Sequence, residues 1–265
     1  MLEIVNTEHV TRRVGELREQ FCNRHPFNHV VIENFFEANV AEGLAKEIDV
    51  AIPSWHEYDN AIEIKHTCNN WNEFPALTYQ VFSFLVSAAF VSVLRQITGC
   101  ANLVADVGLH GGGWHRHRRG GKLNAHLDYS IHPKTGMQRK LNLIAYLSRD
   151  WDPTWGGGLG LWAHDAEGQR RGDMVKVVHC LFNRAVLFDT TQNSWHGLPD
   201  PIACPEDKYR SSLAVYYMTP APEGASPRER ALFSPHKGQE NDAAVLELIR
   251  KRSSSSTAPG VYRTR

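Results

Sequence analysis

Apolar residues near the start of the chain recur at helical spacing: Val10, Val14, Leu17 and Phe21 form one stripe, which predicts an amphipathic helix. His25-Pro26 ends it, and the short β-branched run at 29–32 predicts a strand. Val40, Leu44 and Ile48 mark a second helix. The run 76–98 is long, apolar and almost free of charge, which predicts one buried helix stopped by Gly99 and supporting a sheet. After residue 101 the texture changes to short strand-like runs between Gly, Pro, Asp and Asn: 103–109, 114–117, 124–129, 141–148, 159–162, 174–179, 185–189 and 211–218. Strands that follow a helical first third predict a mostly β fold, a sandwich or barrel braced by helices. No internal repeat is present, and the serine run 253–256 reads as a mobile tail. The expected organisation is one domain over 1–265: largely helical support in 1–100, a β core in 101–220, and a C-terminal extension in 221–265.

Composition narrows the class. The 265 residues are 42% hydrophobic and 22% charged, which excludes collagen-like, disordered and disulfide-scaffold chains. Lys plus Arg number 29, as do Asp plus Glu, so the formal net charge is zero and argues against a broad nucleic-acid-binding face. No stretch approaches the ~18 consecutive apolar residues of a membrane span, and the N-terminus lacks a signal-peptide apolar region. Neither nucleic acid nor membrane is an expected partner. Cys22, Cys68, Cys100, Cys180 and Cys204 are scattered and odd in number, which predicts reduced thiols and a cytoplasmic setting.

Of fourteen histidines, one sits in an H-x-D/E arrangement, His126-Leu127-Asp128. Residues i and i+2 of a strand share a face, so an imidazole and a carboxylate project side by side. That pair is two-thirds of a 2-His-1-carboxylate set, the donor arrangement for ferrous iron with open positions. His196, in Asn193-Ser194-Trp195-His196-Gly197, is the best candidate for the third ligand. In the strand that follows, alternation places Arg210, Ser212, Ala214 and Tyr216 on one face and Leu213, Val215 and Tyr217 on the other. A buried arginine needs an anionic partner, and its planar fork matches a carboxylate.

H-x-D, a distal histidine and R-x-S in this order resemble the iron(II)- and 2-oxoglutarate-dependent dioxygenases. The segment RKLNLIAYLSRDWD (139–152), followed by GGGL (156–159), is similar to the prolyl hydroxylase branch. The resemblance covers about 121–218 and implies a double-stranded β-helix (jelly-roll) core. It also implies Fe(II), 2-oxoglutarate as cosubstrate, O2, and ascorbate as a candidate reductant. His126, Asp128 and His196 would hold iron; Arg210, helped by Ser212 and Tyr146, would hold the distal carboxylate of 2-oxoglutarate. The metal would carry the oxidation, with no separate protein acid or base. Ser148 stands where the hypoxia-sensing enzymes have asparagine, and Arg210 where the collagen-modifying branch has lysine, so collagen is a poor substrate expectation.

The remaining motifs are weighed against this reading. The triplets 111–113 and 156–158 lack a following Gly-Lys-Ser/Thr and read as turns rather than phosphate loops. His115-Arg116-His117 is the kind of pair a cupin-type metalloprotein uses, but 118–128 contains no glutamate to complete it. Candidate substrate contacts are Arg116 and Arg118 of the basic run, Lys65, Asn70 and Trp71 in a loop or lid at 65–71, and Tyr129. The expected activity is hydroxylation of an aliphatic C–H in a small molecule, with an anionic one favoured by the basic run. A prolyl-type hydroxylase acting on a partner protein and a non-catalytic cupin-type binding module are the alternatives.

Overall fold

Residues 210–219 form a central strand whose successive side chains point to two different environments. The computed structural model describes residues 4–51, 53–225, 228–254 and 256–257. Its major sheet runs in the order β1 (His29–Ile32), β11 (Ala185–Asp189), β8 (Gln138–Tyr146), β13 (Arg210–Thr219), β5 (Gly113–His117), β3 (Glu63–Cys68) and β2 (His56–Asp59). Two short strands flank it: β4 (Val104–Ala105) pairs with β13, and β6 (Lys122–Leu123) with β3. The minor sheet runs β10 (Arg170–Val178), β9 (Leu159–Asp165), β12 (Trp195–Gly197), β7 (His126–Leu127) and β14 (Leu232–Phe233). Every described pairing is antiparallel, and the two sheets form a jelly roll.

The helices are α1 (Thr7–Thr11), α2 (Val14–Cys22), α3 (Ala38–Val50), α4 (Ala76–Leu85), α5 (Ala88–Thr98) and α6 (Ala243–Arg252). Leu213, Val215 and Tyr217 of β13 join Leu141, Leu143 and Ala145 of β8 in one apolar cluster. Leu17, Leu44, Phe82, Leu85, Leu94 and Ile97 of the helices complete it. A second cluster fills the space between the sheets, with Tyr146, Leu159, Leu161, Val186 and Phe188. One face of the major sheet is thus sealed by helices and the other looks inward.

Several elements differ from the expectation. The stripe from Val10 to Phe21 is shared by two helices, because Asn6 caps α1 (its side chain accepts the His9 N–H at 3.0 Å) and the chain breaks before Val14. The predicted helix 76–98 is two helices with a 50° bend between them. Ser87 caps the second by accepting the Phe90 N–H, while the Glu47 carboxylate accepts the backbone N–H groups of Leu77 and Thr78 and so caps the first from α3. No single described helix is long and apolar enough to cross a membrane. The first hundred residues also supply strands β1, β2 and β3. Segment 65–71 is not a free loop: Lys65 to Cys68 belong to β3, bonded between β5 and β2, and only 71–73 form a short 3₁₀ turn. Its polar residues tolerate a central strand because Lys65 and Thr67 face a polar interior. Of the expected tail, Ser255 and residues 258–265 lie outside the described residues.

At the start of β5, Gly113 has φ +86, and a Cβ there would overlap the Cys68 carbonyl oxygen and Asn69 Cα. Gly113→Ala is expected to destabilise the fold by about 2–3 kcal/mol, combining left-handed strain with a backbone clash. A lowered urea midpoint at unchanged slope is the expected reading; an unchanged midpoint contradicts it.

Candidate active site

A cavity of about 780 Å³ opens between the two sheets. On its minor-sheet wall, His126 and His196 are direct partners across β7 and β12, with ring centroids 4.3 Å apart. Asp128 lies one residue past the end of β7. His126 Nε2 is 3.7 Å from Asp128 Oδ1, and His196 Nε2 is 3.8 Å from Asp128 Oδ2. All three side chains are buried, and they are the one His/Cys/Asp/Glu group of metal-holding geometry among the described residues, with donor atoms within 4.8 Å of one another.

Their surroundings fit a metal. His126 Nδ1 is 3.0 Å from the Asn124 carbonyl, and His196 Nδ1 is 2.8 Å from that of Ser194. Each Nδ1–H is therefore used on backbone, which turns the Nε2 lone pairs toward the gap. Burial holds the His126 pKa well below its ordinary value, so the ring is a neutral donor. Burial opposes the charge on Asp128, but its polar neighbours, the Arg139 guanidinium and the Tyr216 hydroxyl among them, outweigh it and keep the carboxylate pKa below the usual value. Asp128 Oδ2 is buried without a hydrogen-bond partner. An ionised buried oxygen with no donor facing it is what a bound cation satisfies.

The opposite wall is the inner face of the major sheet. Arg210 is 4% exposed; its Nε donates to the Gly157 carbonyl at 2.9 Å, its Nη1 to Ser212 Oγ at 3.2 Å, and its guanidinium lies 4.9 Å from the Tyr146 ring centre. Tyr146, opposite Ser212 in the sheet, has a buried hydroxyl with no partner, and burial pushes its pKa up to about 12. A buried arginine without a carboxylate partner beside an orphaned hydroxyl fits a bound carboxylate. His117 pairs with Arg210 and His115 with Ser212 in register. Both imidazoles line the cavity, away from the triad, so the H-x-H pair does not join the metal-holding group. Loss of solvation, reinforced by Lys65 and Arg210, pushes the His115 pKa down to about 3.

Among the candidate substrate contacts, Lys65 and Tyr129 line the cavity, whereas Arg116, Arg118, Asn70 and Trp71 do not. Alternation along β5 turns Arg116 outward, where it donates to the Ile48 carbonyl and stacks near Trp55 and Tyr209. Arg118 is exposed and lies 3.9 Å from Glu57. Asn70 caps the turn 71–73, and Trp71 Nε1 donates to the Val107 carbonyl at 3.0 Å.

Arg139 escaped the sequence reading. It is 3% exposed, and its guanidinium sits 3.5 Å from the ring centre of Tyr129 and 3.4 Å from that of Tyr216. Its Nη1 is 3.7 Å from Asp128 Oδ1, to which the Tyr216 hydroxyl donates at 3.4 Å. Strict alternation groups Arg139 with Leu141 and Leu143 on the helix-covered face. The register of β8 against β13 shifts between Tyr217 and Met218, and this irregularity brings Arg139 to the cavity.

Comparison with known proteins adds a family. The model of the 2OG-Fe(II) oxygenase superfamily matches residues 112–218. No curated protein matches the chain in sequence. Among solved structures, a prolyl 4-hydroxylase from Phytophthora capsici is similar with a TM-score of 0.55 at 18% identity, covering 96% of this chain and 77% of that one. A Trichoplax adhaerens prolyl hydroxylase, solved with a hypoxia inducible factor oxygen degradation domain peptide fragment, gives 0.54 at 14% identity over 79% and 92%. HygX from Streptomyces hygroscopicus, solved with nickel, 2-oxoglutarate and hygromycin B, gives 0.50 at 14% identity over 77% and 87%. At these identities the likeness is one of fold.

Because Arg139 helps keep Asp128 ionised, Arg139→Met is expected to raise the carboxylate pKa. A carboxylate with a higher pKa takes up its proton at higher pH, so affinity for Mn(II) should be lost earlier as the solution is acidified. Calorimetric titrations across pH check this; superimposable pH profiles for the variant and the parent would contradict it.

Proposed function

From the premise that residues 112–218 belong to the 2OG-Fe(II) oxygenase superfamily and that the chain is an iron(II)- and 2-oxoglutarate-dependent dioxygenase, we propose that it hydroxylates an aliphatic C–H of a small anionic molecule. In this reading His126, Asp128 and His196 hold the iron, and Arg210, Ser212 and Tyr146 receive the distal carboxylate of 2-oxoglutarate. When bound, metal and cosubstrate supply the oxidation: O2 is consumed, 2-oxoglutarate becomes succinate and CO2, and substrate C–H becomes C–OH. The chain contributes orientation. Backbone carbonyls fix both imidazoles, and Arg139 with Tyr216 fixes the Asp128 carboxylate. Gly157 and Ser212 hold Arg210 in place for an incoming carboxylate.

The observation that carries the substrate class is charge. Lys65, Arg139, Arg210, Arg230 and Arg252 line the cavity against Glu63, Asp128 and Glu229, an excess of two positive charges. Iron(II) and the 2-oxoglutarate dianion cancel each other, so this excess is left for the substrate. The cavity's 780 Å³ falls among small-molecule sites, about 300–1,000 Å³. Related folds hold a peptide fragment in one case and hygromycin B in another, and a volume in the small-molecule range favours the second kind of ligand. Five free cysteines support a reducing, cytoplasmic setting.

Anaerobic iron loading followed by a screen of succinate release against acidic and neutral metabolite panels and peptides tests the substrate class. Stimulation by anionic small molecules is expected, and stimulation by peptides alone would overturn it. His126→Ala should abolish tight metal binding and succinate formation together; full metal affinity in that variant would move the metal elsewhere. Truncating a charged partner of a buried carboxylate costs roughly 2–5 kcal/mol, so Arg210→Ala should weaken 2-oxoglutarate binding by more than about tenfold. An unaltered constant would assign the cosubstrate to a different cation.

A further inference from the structure

Parts of the chain outside the family-matched segment build a second cationic station in the same cavity. Strand β3 contributes Glu63 and Lys65, and the C-terminal segment contributes Arg230, Phe233 and Arg252. Lys65 Nζ lies 3.1 Å from Glu63 Oε2, and Arg252 Nε lies 3.4 Å from Glu63 Oε1. The Glu63 side chain is 1% exposed, and those of Lys65 and Arg252 are 14% and 12% exposed. One buried carboxylate therefore serves two largely buried cations, one at each oxygen. Lys65 also lies 4.9 Å from the Tyr58 ring centre. Arg230 stands near enough to add to the effect of burial in lowering the Arg252 pKa, so a third positive charge converges on the same wall. Glu229 lines the cavity beside it but is exposed.

This station is separate from Arg210. His66 pairs with Arg116, and continuing that register puts Lys65 opposite His117, which in turn pairs with Arg210. Two strand spacings of about 4.8 Å put roughly 10 Å between the backbones of the two cations. Between them His117 is 1% exposed, lines the cavity and has no partner at either ring nitrogen. An orphaned imidazole between two cations leaves both its ring nitrogens open to a ligand in the cavity. The station is also tied to the triad. Phe233 stacks on the His126 ring with centroids 5.0 Å apart at 26°, and the Arg252 guanidinium lies 5.6 Å from the Phe233 ring centre. A group held by Lys65 and Arg252 is thus one aromatic ring away from the metal-holding residues.

We infer that Lys65, Arg230 and Arg252, with His117, form a subsite for a carboxylate or phosphate group of the primary substrate, distinct from the Arg210 site. This inference rests on the dioxygenase reading, in which Arg210 is already occupied by 2-oxoglutarate. It makes β3 and the C-terminal segment, together with His117 of the family-matched core, the elements that choose the substrate. A molecule anchored there by its anionic end presents its neighbouring carbons toward His126, Asp128 and His196.

The test is an anaerobic titration of the full chain loaded with Mn(II) and 2-oxoglutarate, using inorganic phosphate and acetate as separate probes. At least one probe should bind, and Lys65→Met, Arg252→Met and Arg230→Gln should each weaken it about fivefold or more. The 2-oxoglutarate constant of those variants should move less than about twofold. The preferred probe identifies phosphate or carboxylate as the anchor group. Should Arg252→Met not fold, Lys65→Met and Arg230→Gln carry the test. If Mn(II) and 2-oxoglutarate bind and neither probe does, the subsite is overturned while the dioxygenase reading stands. If Lys65→Met weakens 2-oxoglutarate as much as Arg210→Ala does, Lys65 belongs to the cosubstrate and the subsite is overturned. Failure of the parent to bind Mn(II) or 2-oxoglutarate would remove the reading on which the subsite rests.

Discussion

Successive side chains of a β-strand point to opposite faces, and in β13 that period separates Arg210, Ser212, Ala214 and Tyr216 from Leu213, Val215 and Tyr217. The first set lines the cavity; the second is sealed beneath the helices. β8 divides in the same way, with Asn142 and Ile144 inward and Leu141, Leu143 and Ala145 outward. Slipping β13 by one residue would put Arg210 into the helix-covered core, and slipping β8 would put Asn142 there and Leu141 and Leu143 into the polar cavity. The helices of the first hundred residues matter to the site for this reason. By burying the apolar face they pin the register that aims the polar one.

A polar interior also leaves groups waiting for partners. Asp128 Oδ2, the Tyr146 hydroxyl and both nitrogens of His117 are buried without hydrogen bonds. Each such group costs on the order of 1–3 kcal/mol, and a metal or anion that satisfies them returns part of that cost as binding energy. Ligands that satisfy these groups would therefore stabilise the fold as they bind. Around it the polar groups that can be satisfied are: Arg139 lies between two tyrosines and donates to the His110 carbonyl, and Arg210 donates to Gly157 and Ser212.

The cavity is built from two parts of the chain. The family-matched residues 112–218 contain the triad, Arg139, Tyr146 and Arg210. Much of the cavity wall outside them is drawn from β2, β3 and residues 229–252, joined through Glu63, which spans from Lys65 to Arg252. In the proposed reading, a core that would hold iron and 2-oxoglutarate can be kept while these outer walls vary, because binding and orientation of the substrate do not require the oxidising groups themselves to change.

The sequence alone determined whatever follows from local period and from ordered motifs. Short β-branched and alternating runs after residue 101 specify a mostly β fold, His29–Ile32 is a strand, and β13 has the two faces its alternation requires. The same period separates Arg116 from His115 and His117, so the basic run was never one patch. H-x-D, the distal histidine and R-x-S marked groups that the fold brings to one cavity. Tertiary structure alone decided the rest. The run 76–98 bends because Glu47 and Ser87 cap two helices, and a cap donated from another helix has no local signature. Segment 63–68 is a strand because β5 and β2 satisfy its backbone on both sides, which its polar composition does not announce. Arg139 enters the site through a register shift, and Arg252 reaches Glu63 from the far end of the chain. Such contacts depend on pairing and packing between distant segments, and a one-dimensional pattern carries no record of which segments meet.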